Sequence, residues 1–463
     1  MTYQDALAYL DSFVNYERHH QPEAMRNVKL ARMQRLCQRI GDPQRQFRSV
    51  LVTGTNGKGS ICAMLYSMLR SSRLRVGLYT SPHIERLRER IRVWTSGQDE
   101  APRTHGDDWI SEEAFTGVIE RLWPVLEELR TDPLLGPPTY FEALTAAAFT
   151  YFRERQVDVA VLEVGMGGRL DATNVVDQAV SIIGPVDLDH ADVLGDDPVA
   201  IAAEKAGIIK PGQIVLSAPQ SGAVSAVLHA TCQGQAVPLL TCGREITARI
   251  LSHSVEGLQV TVTGLRGIYE HLPIPLIGRH QADNAALAIG ALEALSSSGI
   301  PSRLVERGLA RVDWPGRQEV VSIEPLVILD GGHNPHAADA LGRTLIELCD
   351  GRRIHLLLGL SADKAPEAIA QRLGPLAVSA TCTKSRHPRA MDPTELAMRC
   401  APFCADVHVM SDPIDAYTYL LNAVDPQDVI LVTGSFFLVG QLRAALRQAH
   451  VRPRRRAAQP AAA

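Results

Sequence analysis

Aromatic residues make up only 5% of the 463 residues, and the eight cysteines are scattered along the chain rather than clustered. Such spacing excludes a disulfide framework and makes a reducing compartment the expectation. Cys400 and Cys404 sit four apart in a helical stretch without a nearby His or second Cys pair, so core packing is the reading and no metal is assigned to them. No apolar run reaches the roughly 18 residues that a membrane span needs. The opening MTYQDALAYLDSF has neither the basic start nor the apolar core of a signal peptide. An excess of one charge is missing as well: Lys plus Arg is 47 against 51 Asp plus Glu, a net charge of −4. Nothing global therefore draws the chain to nucleic acid or to anionic lipid. The local exception, Arg452, Arg454, Arg455 and Arg456 beside an Ala/Pro-rich end, reads as a disordered solubilising tail. No internal repeat is visible. What remains is an ordinary globular composition, 46% hydrophobic and 21% charged, long enough for two or three domains with buried cores. A cytoplasmic monomer is the default.

Between about residues 47 and 190, short β-rich apolar runs alternate with helix-period stretches, the pattern of an α/β fold with a mostly parallel sheet. The strand candidates are FRSVLVTG, LRVGLYTS, VDVAVLEV and AVSIIGPVDLDH. In YFEALTAAAFTYFRER, Phe141, Leu144, Thr145, Ala148, Phe149 and Phe152 share one helical face, which predicts a helix packed on the sheet. The stretch from about 213 to 275 shows polar alternation and reads as antiparallel strands appended to the first domain. From about 300 the α/β alternation resumes through PLVILDGG, RIHLLLGL, LAVSATCTK, DVHVM and DVILVTGS. The Ser-rich segment 296–302 is the candidate hinge. Residues 1–296 thus form one domain, 303–450 a smaller α/β domain, and 451–463 the basic tail.

The strongest chemical signal is Gly54-Thr55-Asn56-Gly57-Lys58-Gly59-Ser60, directly after a strand and directly before a helix. Backbone amides and a helix N-terminus surround phosphate oxygens, and the lysine neutralises charge on the outer phosphates. The loop departs from G-x-x-x-x-G-K-[ST] in its first spacing and in the extra Gly59. Ligands of open parallel sheets bind off the carboxyl ends of the strands. Here those ends carry the cradle, then Thr80 and Ser81, Glu163, and Asp187, Asp189 and His190. Mg2+ prefers oxygen ligands and bridges one or two carboxylates to phosphate, a role that suits Glu163. Ser81 and His190 read equally as structural residues or as ligands. In Glu163-Val164-Gly165-Met166-Gly167-Gly168-Arg169-Leu170-Asp171, the glycines allow close approach of backbone to a ligand, or simply a tight loop.

Taken together, VTGTNGKGS, YTSPHIERLRERI, TYFEALTAAAF, LEVGMGGRLDATN, DLDHADVLGDDPVAIAAEKAGIIKPG, WPGRQE, LDGGHNP and LVTGSFFL resemble, in order, the motifs of the folylpolyglutamate synthase and dihydrofolate synthase ligases of the Mur ligase superfamily. The resemblance covers nearly the whole chain. It implies a P-loop ATPase domain with a folate site, followed by a smaller Rossmann-like α/β glutamate-ligase domain. It further implies ATP-dependent amide formation between L-glutamate and dihydropteroate or the γ-carboxylate of a folate. By motif position, Thr55, Asn56, Gly57, Lys58, Gly59 and Ser60 would hold the phosphates, with Asn284, Arg317 and Asp330 around the nucleotide. Ser81 and Glu163 would take one Mg2+, and Glu163, His190 and a carbamylated Lys205 a second. Arg90 would lie near the reacting groups, and His333 and Ser435 near the incoming glutamate. Two departures stand out: Ala365 replaces the usual Asp after the lysine of its motif, and the segment 95–109 is longer than usual.

The implied route runs through an acyl phosphate, with domain closure excluding water. A bifunctional enzyme is the favoured form and a folylpolyglutamate synthase the alternative. A P-loop kinase or NTPase would need the cradle but not the DGGHNP-bearing domain, and a nucleotide-binding scaffold would have no use for Glu163 or His190 at strand ends.

Overall fold

The computed structural model describes the chain except residues 20, 22–28, 96–105, 189–194, 196 and 452–463, with backbone alone for 448–451. The expected tail and His190 lie outside the described residues, as does most of the 95–109 segment. Among the described residues no helix is long and apolar enough to cross a membrane.

The first sheet has seven strands: β1 (Arg48–Thr53), β2 (Val76–Tyr79), β3 (Ile91–Trp94), β4 (Val159–Glu163), β5 (Val180–Ile183), β6 (Ile214–Ser217) and β7 (Leu239–Thr241). Their order is β3-β2-β4-β1-β5-β6-β7, all parallel except β3, which pairs antiparallel with β2. β2, β4 and β5 are buried along their whole length, as is β1 after Arg48, which explains their continuous apolar reading. One face packs on α2 (Tyr140–Glu154), whose capping box joins the Thr139 hydroxyl to the Glu142 amide and the Glu142 carboxylate to the Thr139 amide. The other face packs on α1 (Lys58–Arg70) and α4 (His280–Leu295). Apolar on nearly every side, α4 is buried between the parallel sheet and an antiparallel sheet of β8 (Thr247–Ser254), β9 (Gly257–Thr263) and β10 (Ile268–Ile274). Within 213–275, antiparallel pairing holds only for these last strands. β6 and β7 continue the parallel sheet instead, because each carries a short apolar run with no polar alternation.

The second sheet contains β11 (Glu319–Ile323), β12 (Leu326–Leu329), β13 (Ile354–Leu358), β14 (Ser379–Cys382), β15 (Val407–Val409) and β16 (Val429–Thr433) in the order β11-β12-β16-β13-β14-β15. Only β11 is antiparallel to its neighbour. Apolar clusters cover both faces, so this is a doubly wound sheet with its own cores. Cys382, Cys400 and Cys404 are buried in one of them, and all eight cysteines are unpaired.

The Ser-rich 296–302 segment is not where the two bodies part. It leads into α5 (Ser302–Leu309), whose Val305 and Leu309 are buried in the first core together with Val312. Ser67 Oγ donates to Gly308 O at 2.6 Å, and a Cβ at Gly308 would stand 2.5 Å from Met68 Cα. Polar composition marked a turn there, but the apolar stripe of α5 ties the turn to α1. The crossover falls at 313–318, beside the cradle.

Gly308→Val drives a branched side chain into the main chain of α1. We expect a loss of at least about 2 kcal/mol in denaturant unfolding. Gly299→Ala, where a Cβ meets nothing within 4 Å, should stay within about 0.5 kcal/mol of the parent. Equal effects would return the boundary to 296–302.

Candidate active site

The cradle leaves β1 at Thr53 and enters α1 at Lys58 through Gly57, whose φ of 80° lies in the left-handed region that favours glycine. A Cβ on Gly57 would also meet Asn284 Oδ1 at 2.8 Å, and one on Gly59 would meet the Trp314 ring at 2.9 Å. Thr55 anchors the loop: its hydroxyl donates to Asp187 O at 2.7 Å and accepts from Asp187 N at 3.0 Å. The Lys58 ammonium donates to Gly54 O at 2.9 Å and Thr55 O at 3.1 Å. Lys205, in the last turn of α3 (Pro198–Ala206), also donates to Gly54 O at 2.9 Å and is only 4% exposed. Two lysines from distant parts of the chain therefore meet on one carbonyl of the cradle.

Glu163 ends β4 beside this point, almost fully buried. Among the described residues it accepts one hydrogen bond, from Ser81 N at 3.1 Å. Burial pushes its pKa up, against the pull of Lys58 and Arg317. A desolvated carboxylate with most of its lone pairs open, beside the glycine-rich cradle, is a donor that suits Mg2+. No three His, Cys, Asp or Glu side chains gather as a metal cage among the described residues. Any metal here would complete its shell with phosphate oxygens and water.

The glycine-rich loop after β4 is stapled by Asp171, whose Oδ2 accepts from Gly165 N and Met166 N, each at 3.0 Å, while Oδ1 accepts from Thr173 N. Burial raises the Asp171 pKa. Arg169 grips Glu204 Oε1 through Nε at 3.1 Å and Nη2 at 2.7 Å, which holds the last turn of α3 and with it Lys205.

From the second body, Arg317 lies with its guanidinium carbon 3.7 Å from the Phe436 ring centroid. Burial lowers its pKa to about 10 although Glu163 and Asp330 favour the charge. Asp330 accepts from Gln318 N at 3.0 Å and Gly332 N at 2.8 Å, with its pKa raised by burial. His333 Nδ1 lies 2.9 Å from Gly331 O, and its ring meets Phe436 edge-on at 5.7 Å. Ser435 Oγ accepts from Phe437 N at 3.2 Å at the start of α7 (Phe436–Val451).

One cavity of about 720 Å3 joins these groups. Thr55 through Ser60, Ser81, Glu163, Asn284, Arg317, Asp330, His333 and Ser435 all line it. Lys205 and Arg90 do not. Arg90 stands one layer behind the wall: its two Nη atoms donate to the Glu17 carboxylate at 2.8 and 2.5 Å, and its Nε lies 2.9 Å from His83 Nδ1. Glu17, which does line the cavity, pairs with Arg90 there. His83 is driven to a pKa of about 3 by burial and by Arg90. Sequence reasoning did not assign Glu17, His83, Trp314, Phe436 or Asn334. All but Glu17 lie in or beside the motifs already quoted, and Glu17 carries no local pattern that marks it.

The chain matches two family descriptions: residues 131–292 the Mur ligase middle domain, and 316–436 the Mur ligase, glutamate ligase domain. Dihydrofolate synthase/folylpolyglutamate synthase of Mycobacterium tuberculosis is 34% identical over 91% of this chain and 91% of that protein. The protein of the same name from Bacillus subtilis is 33% identical over 90% and 95%. Among solved structures, Mycobacterium tuberculosis folylpolyglutamate synthase complexed with ADP superposes with a TM-score of 0.85 at 31% identity, covering 96% of this chain and 98% of that one. Escherichia coli FolC in complex with DHPP and ADP gives a TM-score of 0.82 at 29% identity, covering 97% and 99%. With a cradle, a buried carboxylate and a second α/β body around one cavity, and with relatives matching over nearly its whole length, the chain belongs to the dihydrofolate synthase/folylpolyglutamate synthase family of ATP-dependent ligases.

Proposed function

We propose that this ligase joins L-glutamate to dihydropteroate and to the γ-carboxylate of reduced folates, with ATP as the energy source. The observation that carries the reading is that a single cavity is lined both by the glycine-rich cradle and by His333 and Ser435 of the second body. The names of the mycobacterial and Bacillus relatives, each pairing both activities, favour the bifunctional form over chain extension alone.

In this reading the cradle amides and Lys58 bind the triphosphate. Lys58 gives up the Gly54 and Thr55 carbonyls for phosphate oxygens, a stronger charge-assisted partner. Asn284, Arg317 and Asp330 surround the nucleotide. Mg2+ would be held by Ser81 and Glu163, and a second ion by Glu163, His190 and a carbamylated Lys205; bound there, it would neutralise charge on the transferring phosphoryl group. The substrate carboxylate attacks the γ-phosphorus, the bond to the ADP oxygen breaks, and an acyl phosphate forms. The unprotonated amine of glutamate, positioned by His333 and Ser435, attacks the acyl carbon; phosphate leaves and the amine proton passes to solvent or a base. Lys205 is buried beside the cradle. Carbamate formation there, amine plus CO2 giving a carbamate and a proton, would convert an ammonium into a hard oxygen ligand. Eight buried, unpaired cysteines suit a reducing cytoplasm.

Three outcomes are expected. ADP release with either dihydropteroate or tetrahydrofolate should rise on adding glutamate; failure with dihydropteroate alone reduces the activity to chain extension, and failure with both removes the ligase reading. Glu163→Gln should lower kcat by about 100-fold or more while leaving folding intact by circular dichroism. In 13C-bicarbonate, a carbamate carbonyl resonance should appear in the parent and be missing from Lys205→Ala; its absence from the parent would leave Lys205 as the structural donor to Gly54.

A further inference from the structure

The cradle is held from both bodies, and the second hold involves a residue to which neither the motifs nor the relatives assign a role. Asn56, in the cradle, and Asn334, in the turn after β12, present their carboxamides head to head. Asn56 Nδ2 donates to Asn334 Oδ1 at 3.2 Å, and Asn334 Nδ2 donates back to Asn56 Oδ1 at 3.1 Å. The second hydrogen of Asn56 Nδ2 points to His336 Nδ1 at 2.9 Å, which accepts because an amide nitrogen can only donate.

The orientation of Asn334 is set independently. It is the N-cap of α6 (Pro335–Leu348), and its Oδ1 also accepts from Ala337 N at 2.8 Å. With that oxygen fixed by Ala337 N, Nδ2 is turned toward Asn56. The turn behind it is rigid: Asp330 holds Gln318 N and Gly332 N, and Thr433 Oγ1 donates to Gly332 O at 3.4 Å. His333 is the neighbour of Asn334 in that turn. The amide pair therefore links the cradle directly to the turn that carries His333.

We propose that Asn334 is a positioning residue, acting through Asn56 to register the glutamate-side turn on the phosphate cradle so that the acyl phosphate meets the amine rather than water. The proposal rests on the ligase reading above. Without the pair, the acyl phosphate still forms on the first body, but the turn bearing His333 no longer closes on it in register. Water then attacks the acyl carbon, phosphate leaves, and the original carboxylate is regenerated, so ADP appears without an amide.

The test is Asn334→Ser, which keeps an N-cap hydroxyl but is too short to reach Asn56. The ratio of ADP released to amide formed should rise at least about twofold and kcat for amide formation should fall about tenfold, with the KM for ATP moving less than about twofold. Adding Asn334→Ser to Asn56→Ser should change the ratio no further, because the two residues act as one unit. Hydrogen exchange of the 54–60 peptide, read without any substrate, should quicken in Asn334→Ser. An unchanged ratio with unchanged exchange, or effects that multiply in the double variant, overturns the proposal. Should the parent show no glutamate-dependent ADP release, the ligase reading fails instead, and exchange alone decides whether the pair holds the cradle.

Discussion

Lys58 and Lys205 come from helices almost 150 residues apart in the chain, yet their ammonium groups converge on the carbonyl oxygen of Gly54. That convergence requires β1 and β5 to be neighbours, so that the cradle lies against Gly184 and Pro185, and it requires α3 to end beside the glycine-rich loop. The Arg169 grip on Glu204 and the Asp171 staple both serve this second requirement. The carboxyl edge of the sheet thereby gathers two ammonium groups at the cradle, with the buried Glu163 carboxylate beside them.

In open α/β sheets ligands bind off the carboxyl ends of the strands, and here the second body covers that edge. The crossover at 313–318 runs directly over the cradle, with Trp314 packed on Gly59 and Arg317 reaching into the shared cavity. On the far side, α7 approaches so closely that a Cβ at Gly440 would stand 1.9 Å from Ile84 O. Arg443 ties the same contact electrostatically, bonding Glu319 at 2.9 Å and Glu85 at 2.6 Å. These partly buried pairs resist screening better than surface pairs do. The loop that carries Ser81 and Glu85 is therefore braced by the second body.

Much of this was legible in the residues. The apolar runs of β1, β2, β4, β5, β12, β13 and β16 announced themselves because parallel strands are covered on both faces. The cradle was legible because glycines flanking a lysine between a strand and a helix have few other uses. The edge strands β3 and β11 were not: each pairs antiparallel at an edge, β11 is only partly buried, and β3 carries Arg92 within its four residues. Arg90 shows a different failure. A conspicuous arginine in a conspicuous motif was expected at the reacting groups, but Glu17, from a segment with no motif, neutralises it behind the wall.

Local chemistry is a property of adjacent residues, so the chain alone determined its α/β class, the glycine-rich loop between β1 and α1, the carboxylate at the end of β4 and the family to which these motifs point. Which groups face one another is a property of packing between segments far apart in the chain, 73 residues for Arg90 and Glu17 and 278 for Asn56 and Asn334. Only the tertiary structure decided that 302–312 belongs to the first core, that Arg90 is spoken for by Glu17, and that Asn56 meets Asn334. Burial and close approach select those partners, and neither leaves a periodic trace in the sequence.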